Sequence, residues 1–254
     1  MKPKKILTSL AAVTTALFSL NSQASLISAG SGLVYDNVAN VTWSSDANLF
    51  GTMLAGNANL VNQILAVAPT VSNTPNTYYS PSGTYTLSSA DFGTGGQLDW
   101  FAAIAWTQYL NSINYLGHNT WMLPTTYNQT CSGYNCTNSM LGELFTALGG
   151  VPGYSITTTN NSSYALFSNF QTGTYWSSTE FTANPNASWS YGYYGYQGPN
   201  SKGTVGGFYS LMAFTSNVSS SSNSIPVPGA LALISFGLVI MSGVARRHGA
   251  AYKC

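Results

Sequence analysis

Residues able to do acid–base, nucleophilic or metal chemistry are sparse in this chain. One of its two histidines, His118, lies in the loop GHNT, and the other, His248, belongs to the C-terminal tail. No Ser or Cys accompanies His118 in a nucleophile motif, so a solvated loop histidine is the plain reading and no catalytic residue is assigned. Glu180, closing the stretch YWSSTE, is the most interesting acid. With Trp189, Tyr191 and Tyr193 it makes a candidate ligand-binding face, because aromatic faces cover the C–H side of a sugar while carboxylates and amides bond its hydroxyls. The competing reading is structural, with Trp176 in the core and Ser177, Ser178 and Thr179 bonding to loops. Asp36, Asn37 and Asn40 carry oxygens suited to Ca²⁺, but they lack the spacing of a known loop and a turn accounts for them. No metal site and no cofactor is expected.

Cys131 and Cys136, in CSGYNC, enclose four residues that include the turn formers Gly133 and Asn135. In an oxidising compartment a local disulfide is the first reading, since a metal site would want further Cys or His nearby. Cys254 lies beyond an Arg pair at the C terminus and is given no role.

The elements that must position these residues follow from local pattern. GLVYDNVANVTW, residues 32 to 43, reads as two strands around a turn on Asp36 and Asn37. NLVNQILAVA, 59 to 68, reads as a short helix, and SNTPNTYYSPSGTYT, 72 to 86, as a turn-rich excursion. Asp99 can cap a helix from Trp100 to about Ile113 with Phe101, Ala102, Ala105 and Tyr109 on one stripe. A second helix runs from Asn138 or Ser139 to Leu148 and stops at Gly149-Gly150. TYWSSTEF (174–181), ASWSYGYYGY (187–196) and FYSLMAF (208–214) read as strands, with Trp189, Tyr191 and Tyr193 on one face. Gly192 and Gly195 permit a shift that turns Tyr194 and Tyr196 elsewhere. The pattern predicts an α+β domain with two main helices and short antiparallel strands.

The ends of the chain concern its destination. Lys2, Lys4 and Lys5 precede an apolar run from Ile6 to Leu20, and Ser22 and Ala24 frame a cut before Ser25. Residues 1–24 therefore read as a secretory signal peptide, an uncleaved anchor being the rival. Gly229 to Ala245 carries no charge and would span about 26 Å as a helix, just enough for a membrane core of about 30 Å. Arg246 and Arg247 follow at once, placing everything before Ile225 outside the cell. A buried core helix is the alternative for this segment. SSSSNS makes 217–224 a flexible linker.

Between the signals, residues 25–224 are long enough for one domain with a sizeable core, and hold all six tryptophans. Their one base, Lys202, stands against Asp36, Asp46, Asp91, Asp99, Glu143 and Glu180, one minus six leaving a formal charge of −5. One cation cannot neutralise a row of phosphates, which argues against nucleic acid and against strongly anionic polymers. Neutral ligands are easier to accommodate.

The C-terminal segment 225–254, with Pro226 and Pro228, its apolar helix and Arg246-Arg247, resembles the PEP-CTERM sorting signal of Gram-negative bacteria. Val227 replaces the Glu usual between the prolines. The resemblance implies recognition by an exosortase, a membrane-embedded protease-transpeptidase, with a transient stay in the inner membrane before release to the surface.

The ordered series GLVYDNVANVTW, DWFAAIAWTQYLNSINYLG, TWMLPTT, LGELFTALGG and LFSNFQTGTYWSSTEF followed by ASWSYGY resembles the DUF1566 family. That family is also described as the C-terminal domain of a Legionella collagen-like adhesin. The resemblance covers about Gly32 to Phe214, within a domain taken as 25–216. It implies a compact α+β domain related to the C-type-lectin-like and formylglycine-generating-enzyme folds, on exported bacterial proteins. Two positions where the family usually has Arg are Met122 and Phe214 here, so neither can pair with a carboxylate or hold an acidic ligand. The resulting expectation is a non-enzymatic surface or matrix protein that binds extracellular polysaccharide or a neighbouring surface component. An enzyme on a formylglycine-generating-enzyme-like scaffold and a purely structural coat protein are the alternatives.

Overall fold

The computed structural model describes residues 26–215. The signal segment 1–24, the linker 217–224, the sorting segment 225–254 and its helix 229–245 lie outside the described residues. Among the described residues no helix is long and apolar enough to cross a membrane.

The described chain opens with the antiparallel strands β1 (Leu26–Gly30), β2 (Leu33–Asp36) and β3 (Val41–Ser44). The expected hairpin in GLVYDNVANVTW is β2–β3, and β1 adds a strand that local pattern did not announce. Two short helices follow, α1 (Leu49–Gly56) and α2 (Leu60–Val67), then a small hairpin of β4 (Thr70–Ser72) and β5 (Thr84–Thr86) that holds the turn-rich excursion between its arms. Next come α3 (Trp100–Ser112), β6 (Trp121–Met122) and α4 (Met140–Ala147). The C-terminal strands are β7 (Thr174–Glu180), β8 (Ala187–Gly192), β9 (Gln197–Ser201), β10 (Phe208–Tyr209) and β11 (Ala213–Thr215). The fold is α+β: the short helix expected over 59–68 forms as α2, the two main helices form as α3 and α4, and α1 is added to them.

The larger sheet has the order β1-β2-β3-β11-β6, and the second the order β10-β7-β8-β9. Three expectations are corrected here. FYSLMAF is not one strand: its first two residues form β10 in the second sheet, and its last two begin β11 in the first. The residues between them cross from one sheet to the other, which alternation along a single stretch cannot reveal. ASWSYGYYGY stops being a strand at Gly192, and after a turn the chain returns as β9, paired from Ala187↔Ser201 to Tyr191↔Gln197. The strands are also not all antiparallel, because β10 runs parallel to β7.

Both helices anticipated from capping form as their sequences require. Asp99 caps α3 by accepting from Ala102 N at 2.7 Å. Nearly every side of this helix is buried, including Phe101, Ala102, Ala105, Trp106 and Leu110, as an all-round apolar sequence demands. Ser139 caps α4 by accepting from Gly142 N at 3.0 Å. Gly149, at φ 76°, ends that helix, with Gly149 N donating to Thr146 O and Gly150 N to Phe145 O. That pair of bonds is a Schellman cap, which needs a residue at home in the left-handed region.

Two apolar cores result. One gathers α1, α2 and α3 with Trp121, Trp176 and Phe214, and the other packs α4 against β1–β3, Tyr175 and Tyr191.

Candidate functional site

The stretch YWSSTE is the hub that joins the sheets and loops. Between Trp176↔Ser190 and Glu180↔Ser188 the β7–β8 register shifts, so that Ser177, Ser178 and Thr179 bulge from the ladder. The bulge is bonded to the segment Pro124–Thr126: Ser178 N donates to Pro124 O at 2.8 Å, and Thr126 N donates to Thr179 Oγ1 at 2.9 Å. Trp176 is fully buried, stacks on Phe208 at 4.3 Å and donates its indole N–H to Leu98 O at 2.9 Å. The structural reading of this motif is the one the fold adopts.

Glu180 is likewise engaged. Its carboxylate accepts from Lys202 Nζ at 2.6 Å and from Thr74 N at 3.0 and 3.2 Å, so it ties β7 to β9 and to the β4–β5 excursion. Lys202 is 0 % exposed, its ammonium lying 4.5 Å from the centre of the Trp100 ring. Burial lowers the Lys202 pKa, and the bond to Glu180 opposes that shift. The cation that composition placed on the surface is therefore internal, and among the described residues no Lys or Arg side chain reaches solvent.

The expected face of Glu180, Trp189, Tyr191 and Tyr193 does not assemble at the surface. Trp189 and Tyr191 are 1 % and 6 % exposed. Trp189 meets Phe181 edge-on, and Tyr191 packs against Phe145 of α4 beside an apolar void of about 30 Å³. Strand β8 is buried on both faces, so alternation there separates two interiors and not an inside from an outside. Tyr193 lies half-buried just past the strand, its N–H bonded to Gly173 O at 2.9 Å.

Exposed aromatics gather instead at the turn between β8 and β9. Tyr134, Tyr194 and Tyr196 are each at least a third exposed. The Tyr134 ring lies 5.4 Å from Tyr196 and 6.3 Å from Tyr194, and Tyr193 meets Tyr194 edge-on at 4.8 Å. Tyr134 reaches this cluster because Cys131 and Cys136 form the expected disulfide, with Gly133 (φ 125°) and Asn135 (φ 62°) shaping the loop between them. That loop is fixed to β9: Gly133 and Gln197 exchange backbone bonds of 2.8 and 2.9 Å, and Gln197 Nε2 donates to Cys131 O at 2.9 Å. The loop carrying Tyr154, itself largely exposed, abuts the same turn through Gly153 N donating to Tyr194 O at 2.8 Å. The signal for this cluster was the Gly192 and Gly195 pair, which shifts Tyr194 and Tyr196 off the strand face. The partnership with Tyr134 rests on long-range pairing that no local pattern contains.

The remaining candidates hold structure. Asp36 is buried and accepts from Val38 N, Ala39 N and Trp43 Nε1 at 3.0 to 3.2 Å, which makes it the pivot of the β2–β3 turn. Asp46 accepts from Asn48 N at 2.9 Å and Thr52 Oγ1 at 2.6 Å ahead of α1. Asp91 closes a capping box with Ser88, and Asp99 caps α3. Glu143 differs, since it borders an open groove of about 490 Å³ with Asp36, Thr137 and Asn161. Burial and the Asp36 carboxylate raise its pKa, and the nearby Tyr127 hydroxyl is pushed up to about 12 by burial and then by Glu143. His118 stacks on Phe214 at 3.9 Å and sits edge-on to Trp121 at 6.4 Å. Among the described residues no group of three or more His, Cys, Asp or Glu could hold a metal ion.

Met122 and Phe214 occupy adjacent strands, through Ala213↔Met122 and Phe214↔Trp121. Their side chains point to opposite faces of the sheet, Phe214 into the core around α3 and Met122 against the core around α4. The two positions cannot serve a single ligand.

The motif series has a family-level counterpart. The model of the family described as the Lcl C-terminal domain matches residues 32–210. No curated protein and no solved structure matched the chain.

Proposed function

The chain belongs to the Lcl C-terminal domain family, the DUF1566 family, and we propose that it is an exported, non-enzymatic surface or matrix protein that binds extracellular polysaccharide. The observation that carries this reading is the tyrosine platform. Tyr134, on a loop closed by a disulfide, stands exposed beside Tyr194 and Tyr196 on the β8–β9 turn, and paired backbone between Gly133 and Gln197 joins the two segments. Rigid tyrosines present stacking area at little entropic cost and offer hydroxyls to a wet, polar ligand. The lack of exposed Lys or Arg among the described residues favours an uncharged polymer over a sulfated or phosphorylated one.

Export through the segment 1–24 and exosortase processing of 225–254 complete the reading, with a transient stay in the inner membrane. The commitment of the His118 ring to stacking on Phe214 supports the non-enzymatic part. Co-sedimentation of the exported protein with exopolysaccharide of the producing bacterium tests the binding. Retention that falls in Tyr194→Ala and Tyr196→Ala is the expected result. Retention no greater than that of an unrelated acidic protein would sink the adhesin reading for that polymer and leave the coat role. Mass spectrometry of surface-recovered protein tests the sorting, which fails if the Arg246-Arg247 tail is still attached in a host with its sorting enzyme intact.

A further inference from the structure

A second exposed aromatic lies at the other end of the same sheet. Tyr78, on the β4–β5 excursion, is 77 % exposed. Its position is nonetheless fixed: Tyr78 N donates to Asn186 Oδ1 at 3.1 Å, and its ring meets Tyr79 edge-on at 4.7 Å. Tyr79 in turn packs against Phe101 of the core and shares a hydroxyl bond with Ser201. Glu180, held by the buried Lys202, clamps the same excursion at Thr74 N.

Thr77, Tyr78, Tyr79, Asn186 and Ser201 line an open dish of about 350 Å³. An exposed ring beside an amide and hydroxyls, with no Lys or Arg in the lining, suits an uncharged sugar and supplies no cation to hold a phosphate or a carboxylate.

The topology fixes where this dish lies. Asn186 precedes β8, and Ser201, paired with Ala187, ends β9, whereas Tyr194 and Tyr196 sit in the turn that follows β8. The two aromatic sites therefore flank opposite ends of β8, whose six residues span about 17 Å at roughly 3.4 Å per step. We infer that the dish at Tyr78, Asn186 and Ser201 is a second saccharide site, and that the domain is bivalent and bridges polymer chains. This rests on the polysaccharide-binding reading above and extends it to a site built from different elements.

The test uses the exported protein with the producing bacterium's exopolysaccharide in two forms, short fragments for calorimetry and intact polymer for turbidity and sedimentation. Wild type is expected to bind two fragments per chain. Tyr78→Ala is expected to bind one, to lose polymer bridging, and to bind intact polymer at least about 100-fold more weakly as avidity disappears. Tyr78→Phe, which keeps the ring, should behave as wild type. Because Tyr78 is mostly solvent-exposed, circular dichroism and the unfolding midpoint of Tyr78→Ala should match wild type, which separates site loss from unfolding. A wild-type stoichiometry of one, abolished in Tyr194→Ala with Tyr196→Ala and unchanged in Tyr78→Ala, overturns bivalency and leaves the parent reading standing. Absence of fragment binding by folded wild type overturns both.

Discussion

The Lys202 ammonium and the Glu180 carboxylate meet at 2.6 Å, with the lysine wholly enclosed and the glutamate a quarter exposed. This ion pair, with the Thr74 N–H bond to the same carboxylate, links β7, the residue that follows β9 and the excursion that presents Tyr78. Removing one partner strands a charge, whereas removing both does not. Glu180→Gln should therefore cost about 3 kcal/mol in urea unfolding. The double variant Glu180→Gln with Lys202→Met should recover much of that loss. Equal destabilisation in the single and double variants would show that the pair is not coupled.

Asp99 supplies a pH dependence. It is almost fully buried, and burial, reinforced by the neighbouring Asp91 carboxylate, raises its pKa to about 8. A carboxyl whose folded pKa exceeds its unfolded value of about 4 stabilises the fold in its protonated form. That contribution is complete below about pH 4 and is lost as pH rises through about 8. Thermal unfolding should show the wild-type domain losing stability between about pH 4 and about pH 8. Asp99→Asn, which still offers an oxygen to Ala102 N, should flatten that slope.

Gly142 is fixed by space. A Cβ there would lie 2.1 Å from Cys136 O, in a backbone that cannot retreat without disturbing the disulfide loop. Gly142→Ala should lower stability by about 1–3 kcal/mol, despite the better helix propensity of alanine. An unchanged denaturation midpoint would contradict this packing.

Reduction of the Cys131–Cys136 bridge should separate stability from binding. A loop this short contributes about 2 kcal/mol by chain entropy, a modest loss for a domain with two cores. Cys131→Ser with Cys136→Ser should remain folded by circular dichroism while its polysaccharide retention falls, since Tyr134 loses its brace. Full retention in that variant would detach the loop from the proposed site.

Burial assigns Trp189 and Tyr194 opposite phenotypes. Trp189→Ala empties a core position and should cost about 3–5 kcal/mol. Tyr194→Ala, at the surface, should change stability by about 0.5 kcal/mol or less while weakening polymer retention. Chemical denaturation beside co-sedimentation distinguishes them, and the reverse pattern would restore the Trp189 face as the binding surface.

The sequence by itself determined what is written locally. Asp99 and Ser139 announced their helices through caps, Gly149-Gly150 announced a helix end, and Asp36 announced a hairpin. The spacing of Cys131 and Cys136 announced their bond. These signals are legible because cap, turn and short-loop energetics depend on residues a few positions apart. The tertiary structure alone decided which aromatics face solvent. Trp189 and Tyr191 alternate as a half-exposed strand would, yet α4 covers Tyr191 and Phe181 meets Trp189 edge-on, because whether a strand has one dry face or two depends on elements distant in sequence. For the same reason composition counted Lys202 as a surface charge, and only the meeting of β7, β9 and Trp100 enclosed it. Tyr134 met Tyr194 and Tyr196 through the pairing of Gly133 with Gln197, a contact that spans more than sixty residues and so exists only once the sheet has formed.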